Sequence, residues 1–234
     1  MLTFETINEL TLKVTCQGGD ILYTKAGAFI AGENMGQKNY TFEKSLLGPG
    51  QNMGQALLGS LVRRVTGENV PLMKATFNGD SITYYASYGQ HVVVYHLGPG
   101  ETISLESENI LAFTGDCDYS VRFIGVGIMS QKGLATSTLT AKGPNAYVAV
   151  LSDGNPIVLS NTQSRQTISV DPDAVVCWVG NGPCDPAVRA DINWKTFIGQ
   201  SSGESYQFEW NGGQPVTVII QPSERSGGIS VSVD

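Results

Sequence analysis

Short runs in which apolar and polar residues alternate dominate the chain. Leu10-Thr11-Leu12-Lys13-Val14 follows this pattern, as do Ala146 to Leu151 and Val216-Thr217-Val218-Ile219-Ile220. A period of two sends successive side chains to opposite faces of a strand, so each run predicts a β-strand with one buried face. Gly, Asn, Asp and Pro punctuate the runs. Asn78-Gly79-Asp80 separates Leu72–Phe77 from Ser81–Tyr85, Asp153-Gly154-Asn155 separates Tyr147–Leu151 from Pro156–Leu159, and Asn211-Gly212-Gly213 separates Tyr206–Trp210 from Pro215–Ile220. Asn-Gly and Asp-Gly accept the positive φ of tight turns, so all three predict hairpins. One helix is predicted over residues 52–64, where Leu57, Leu58, Leu61 and Val62 form a single stripe. The breaker cluster Gly48-Pro49-Gly50-Gln51 before it reads as a loop.

A second pattern recurs. A Gly- or Thr-led strand carrying a carboxylate precedes a small, apolar strand in Gly19-Asp20-Ile21…Gly27-Ala28-Phe29-Ile30, in Gly100-Glu101-Thr102-Ile103…Ile110-Leu111-Ala112-Phe113, and in Thr167-Ile168-Ser169-Val170-Asp171…Ala174-Val175-Val176-Cys177-Trp178. With the hairpins, this divides the chain into three diverged units near 11–97, 98–165 and 166–222, followed by a tail over 223–234. The irregular spacing points to duplication rather than a solenoid, and units this small are expected to pack around a shared axis.

Composition narrows the possibilities. The 234 residues suit one large all-β domain or two small ones, and a chain of this size buries enough surface to fold without disulfide or metal. Its formal charge of −7 and pI near 4.8 argue against affinity built on phosphate neutralisation, so no nucleic acid is expected. Charged residues are 15%, below the roughly 25% of an average domain, and 28 glycines fit many strands joined by tight turns. The first residues, Met1-Leu2-Thr3-Phe4-Glu5, lack a secretory pattern, and no apolar run approaches a membrane span. Cys16, Cys117, Cys177 and Cys184 are accordingly expected as free thiols in a reducing cytoplasm. The sequon Asn39-Tyr40-Thr41 has no meaning there.

The candidate chemistry is sparse. Gly199-Gln200-Ser201-Ser202-Gly203 has the letters of a hydrolase nucleophile elbow, but a strand rather than a helix is predicted after it and both histidines precede it. His91 and His96, five apart on one strand, face opposite ways and share no metal. Zinc needs three or four ligands, and no Cys-x-x-Cys or His-x-His pair supplies them, so neither metal nor cofactor is expected. Cys177 and Cys184 flank the turn Gly180-Asn181-Gly182-Pro183 and read as small packed side chains. Cys117 sits in Gly115-Asp116-Cys117-Asp118, where the neighbouring carboxylates disfavour a thiolate. Gly48-Pro49-Gly50 and Gly98-Pro99-Gly100 do not continue as phosphate loops and read as turns. Arg63, Arg64 and Glu68 stand out in so uncharged a chain: they form either an anion site or ion pairs across an interface, and the interface is preferred. Tyr84, Tyr85, Tyr88 and Tyr95 divide between core and surface, and any left exposed form a contact surface.

The run Gly59-Ser60-Leu61-Val62-Arg63-Arg64-Val65-Thr66-Gly67-Glu68 resembles the Gly-x-Leu-x-Arg-x-x-x-Gly-Glu stretch of the altered-inheritance-of-mitochondria family. Leu97-Gly98-Pro99-Gly100-Glu101, Ile168-Ser169-Val170-Asp171 with Val175-Val176-Cys177-Trp178, and Gly212 to Gly228 with its Arg225-Ser226-Gly227-Gly228 ending fit the same resemblance in order. The stretch Met129 to Lys142 departs from it, being rich in Ser and Thr. The resemblance implies an all-β fold of duplicated TRAP-like antiparallel sandwich units, double-stranded β-helix-like, in a pseudo-threefold arrangement. It also implies homotrimers and no established enzymatic activity for bacterial members. The expected function is a non-catalytic oligomeric scaffold or interaction protein of the bacterial cytoplasm. The alternative is a small-ligand-binding protein with sites between units or subunits, and a metal-free hydrolase is a minor third.

Overall fold

The computed structural model describes residues 2–34, 38–45, 71–124, 135–190 and 206–222. Among these the chain is all-β, in four antiparallel sheets, none of them closed. Sheet I orders β1 (Thr3–Ile7), β2 (Thr11–Cys16), β7 (Ser81–Tyr85) and β4 (Phe29–Asn34). Sheet II orders β5 (Tyr40–Ser45), β6 (Leu72–Phe77), β3 (Ile21–Lys25), β10 (Ile110–Thr114), β13 (Tyr147–Ser152) and β8 (His91–His96). Sheet III orders β11 (Cys117–Phe123), β12 (Ala135–Ala141), β9 (Glu101–Leu105), β16 (Val175–Asn181), β19 (Val216–Ile220) and β14 (Ile157–Ser160). Sheet IV orders β15 (Ile168–Val170), β18 (Tyr206–Trp210) and β17 (Ala187–Ala190). The predicted helix over 52–64 and its preceding loop lie outside the described residues.

The sheets stack by burying apolar faces. Leu12, Val14 and Tyr85 of sheet I meet Leu22, Phe77 and Leu111 of sheet II. The other face of sheet II, with Tyr23, Phe113 and Val148, meets Ile103, Leu105 and Leu139 of sheet III. Trp178 and Val218, on the far face of sheet III, meet Ile168, Phe208 and Trp210 of sheet IV. Sheets II and III are therefore covered on both faces, which is why β10 and most of β13 are buried residue after residue. A strand covered on both sides has no polar face to alternate with. That accounts for the continuous run Ile110-Leu111-Ala112-Phe113, whereas β2 in the outer sheet alternates strictly.

The three predicted hairpins are turns, but their flanking strands do not pair. β6 lies in sheet II and β7 in sheet I; β18 lies in sheet IV and β19 in sheet III; β13 lies in sheet II and β14 in sheet III. A tight turn reverses the chain, but burial decides the neighbour. Each segment folds over to become the opposite layer of a sandwich instead of lying beside its predecessor.

Strand pairing also crosses the predicted units 11–97, 98–165 and 166–222. β8 pairs with β13, and β14 pairs with β19, so both strands associate with residues that follow them. The pairings form a recurring set. The trios β2-β7-β4, β8-β13-β10 and β14-β19-β16 have the same order, as do β5-β6-β3, β11-β12-β9 and β17-β18-β15. β3 joins β10 and β9 joins β16, fusing trios of the two kinds into six-stranded sheets.

Candidate functional site

Arg63, Arg64 and Glu68 lie outside the described residues, as does Ser201 of the elbow-like stretch. The other singled-out residues are placed. Cys16, Cys117 and Cys177 are buried and Cys184 half-buried, all four as free thiols. Burial, more than the neighbouring Asp116, pushes the Cys117 thiol up to about 11. Burial raises Cys16 and Cys177 still further. Cys177 belongs to the core between sheets II and III and Cys184 borders the one between III and IV, so the two do not form a pair. His91 Nδ1 lies 3.9 Å from Glu9 Oε2. His96 bonds the Pro144 carbonyl at 2.8 Å and stacks on Tyr147. No group of three metal-ligating side chains occurs among the described residues.

The recurring carboxylates divide. Asp20 and Glu101 do the same thing, accepting from the backbone N–H of Gln17 and Gly98 at 2.7 Å to close a turn whose Gly19 and Gly100 carry φ of 93° and 80°. Asp171 instead accepts from Asp173 N at the start of the short 3-10 turn Pro172–Ala174. Arg165, with φ of 52°, occupies the corresponding turn position in the third segment.

A joint between sheets III and IV forms where β16 passes into β17. The two indole N–H groups donate to successive carbonyls of this loop, Trp178 to Pro183 at 3.1 Å and Trp210 to Cys184 at 2.9 Å. The loop then places Asp185 in an ion pair with Arg122 of β11. Register puts Arg122 opposite Thr136, and Thr138 opposite Ser104, on one face of sheet III. Hydroxyls bond one another along it, Thr102 to Thr140 and Ser120 to Thr138. Among the described residues neither of these hydroxyl bonds involves an imidazole. Neither indole bond was foreseen, because a tryptophan's partner across a loop leaves no local signal.

The outer surface carries the features suited to protein contact. Tyr88 is 99% exposed on the turn between β7 and β8, while Tyr85 is fully buried and Tyr84 donates to Glu33 Oε1 at 2.5 Å. Ile30 of β4 is 56% exposed and Val158 of β14 is 58% exposed, and among the described residues both strands are sheet edges. Unpaired edges with apolar side chains are templates for another strand.

The fold is shared with a bacterial protein of known structure. The X-ray crystal structure of protein SPYM3_0169 from Streptococcus pyogenes matches with a TM-score of 0.66 and 18% identity, over 96% of this chain and 94% of its own. The family model described as Mitochondrial biogenesis AIM24 matches residues 4–223. The chain belongs to the AIM24 family, the one the Gly59–Glu68 run resembles. No curated protein matches it. No described helix is long and apolar enough to cross a membrane.

Proposed function

We propose that this protein is a non-catalytic, oligomeric scaffold or interaction protein of the bacterial cytoplasm, assembled as a homotrimer from chains that each hold three diverged units. The observation that carries the reading is the recurrent strand pairing. β2 to β7, β8 to β13 and β14 to β19 each supply one trio of each kind, and trios of successive units fuse through β3·β10 and β9·β16. Each unit thus gives half of its sandwich to a sheet completed by its neighbour, so the module is designed around association. On this pairing the units run 11–85, 91–152 and 157–220. Exposed Tyr88, Ile30 and Val158 supply contact surface, and four free cysteines suit a reducing compartment.

Native mass spectrometry of protein purified gently from its own host tests this reading. Trimers of the 24.9 kDa chain without added mass are expected. A stoichiometric small-molecule mass would replace the scaffold reading with ligand binding, for which Arg63→Ala and Arg64→Ala become the first variants.

A further inference from the structure

Two junctions inside the chain follow one rule, and two strand edges unpaired among the described residues meet its terms. In the first, β10 pairs antiparallel to β3 with Ala112 opposite Thr24 and Phe113 opposite Tyr23. In the second, β16 pairs antiparallel to β9 with Cys177 opposite Leu105 and Trp178 opposite Ser104. The register is locally fixed in both. β10 and β16 are irregular against their other neighbours, between Ile110 and Ala112 and between Val175 and Cys177, and junction pairing begins just past the bulge. β4 has the same irregularity, between Phe29 and Ala31 against β7. Thr24 precedes Phe29, Leu105 precedes Ile110 and Val170 precedes Val175 by equal steps along the chain. β4 therefore has the form of the receiving strand and β15 that of the donated one. Among the described residues β4 is paired only with β7 and β15 only with β18.

Resting on the oligomeric reading above, we infer that β15 of one copy pairs antiparallel with β4 of a second copy, placing Val170 opposite Ala31 and Ser169 opposite Gly32. The contact reproduces between chains the junction made twice within each. Its occupant is a second copy because the edges belong to terminal layers. Sheet I packs on II, II on III and III on IV, and none of the three cores contains residues of both I and IV. β4 is exposed along most of its length, and the register opposes no like charges. Donor and acceptor patches differ, so the interface is head-to-tail and closes into a ring when the rotation permits.

Cysteine cross-linking tests it. An antiparallel pair holds its Cα atoms about 4.5–5.5 Å apart, within disulfide range. Ala31→Cys and Val170→Cys chains, mixed and oxidised, are expected to give an interchain disulfide that neither gives alone or with wild type. A disulfide formed only within the double variant overturns the inference in favour of closure by one chain. Absence of any disulfide in a protein that still assembles overturns the interface and leaves the oligomeric reading standing. Because Val170 is buried and its variant can lose the fold, hydrogen exchange on the wild type is the parallel measurement. Amides of both β4 and β15 should gain at least tenfold protection on assembly. Exchange unchanged by assembly at either strand rejects the pairing.

Discussion

Trp210 has no exposed surface, yet its indole N–H donates to the Cys184 carbonyl in a loop between two sheets. Removing one partner of a buried bond costs about 1–3 kcal/mol, because the other is left dry and unpaired. Trp210→Phe keeps an aromatic ring but not the donor, and should lower Tm by several degrees with the strands retained by circular dichroism. Unchanged Tm would mean the bond contributes nothing. Burial also orders the four thiols. Cys184 alone is half-buried, so a thiol reagent should label it well ahead of Cys16, Cys117 and Cys177, and Cys184→Ser should abolish the fast phase. Cys117 adds a pH dependence. Its ordinary value of 9.0 rises to about 11 in the fold, so from pH 9 upwards the unfolded chain releases a proton that the folded one keeps. The stabilisation is full below pH 9 and is lost as pH climbs towards 11. Cys16 and Cys177, shifted the same way, steepen the loss. Melts between pH 8 and 10.5 should show Tm level up to about pH 9 and falling above it, less steeply in Cys117→Ala; a profile flat to pH 10.5 would contradict the burial argument.

At the level of elements, the central sheets are where stability concentrates. Phe113 on β10 is wholly buried and stacks on Tyr23 and Tyr119, with centroids 5.1 and 5.9 Å away. Phe113→Ala should cost about 3–5 kcal/mol, near 10 °C of Tm in a chain of this size. Tyr88→Ala, on an exposed turn, should change Tm by less than a degree or two; equal losses at both positions would refute the layered packing. Much of this was legible. β19 spans the residues predicted for it, and β2 follows the alternation that starts at Leu10. Asp20 and Glu101, grouped by the recurring Gly-led pattern, close equivalent turns. Pairing was not legible, since Asn78-Gly79 specifies a reversal but not the sheet the chain returns to. Nor was the role of Asn161, whose buried amide accepts from Val216 N at 2.8 Å and donates to the Asn211 carbonyl. Those partners lie some fifty residues away. A local pattern does not record contacts of that range.

At the scale of the whole molecule, the described residues form four layers linked by sheets that successive segments build jointly, and among these residues β4 and β15 each pair on one side only. The proposed contact would join these two strands between copies. The proposed assembling role rests on this strand pairing, with its contact on β4 and β15. Sedimentation velocity of the wild-type protein over a wide concentration range tests the role most directly. One dominant species at three times 24.9 kDa, persisting on dilution to low micromolar, is expected. A single species at 24.9 kDa across the whole range would contradict it.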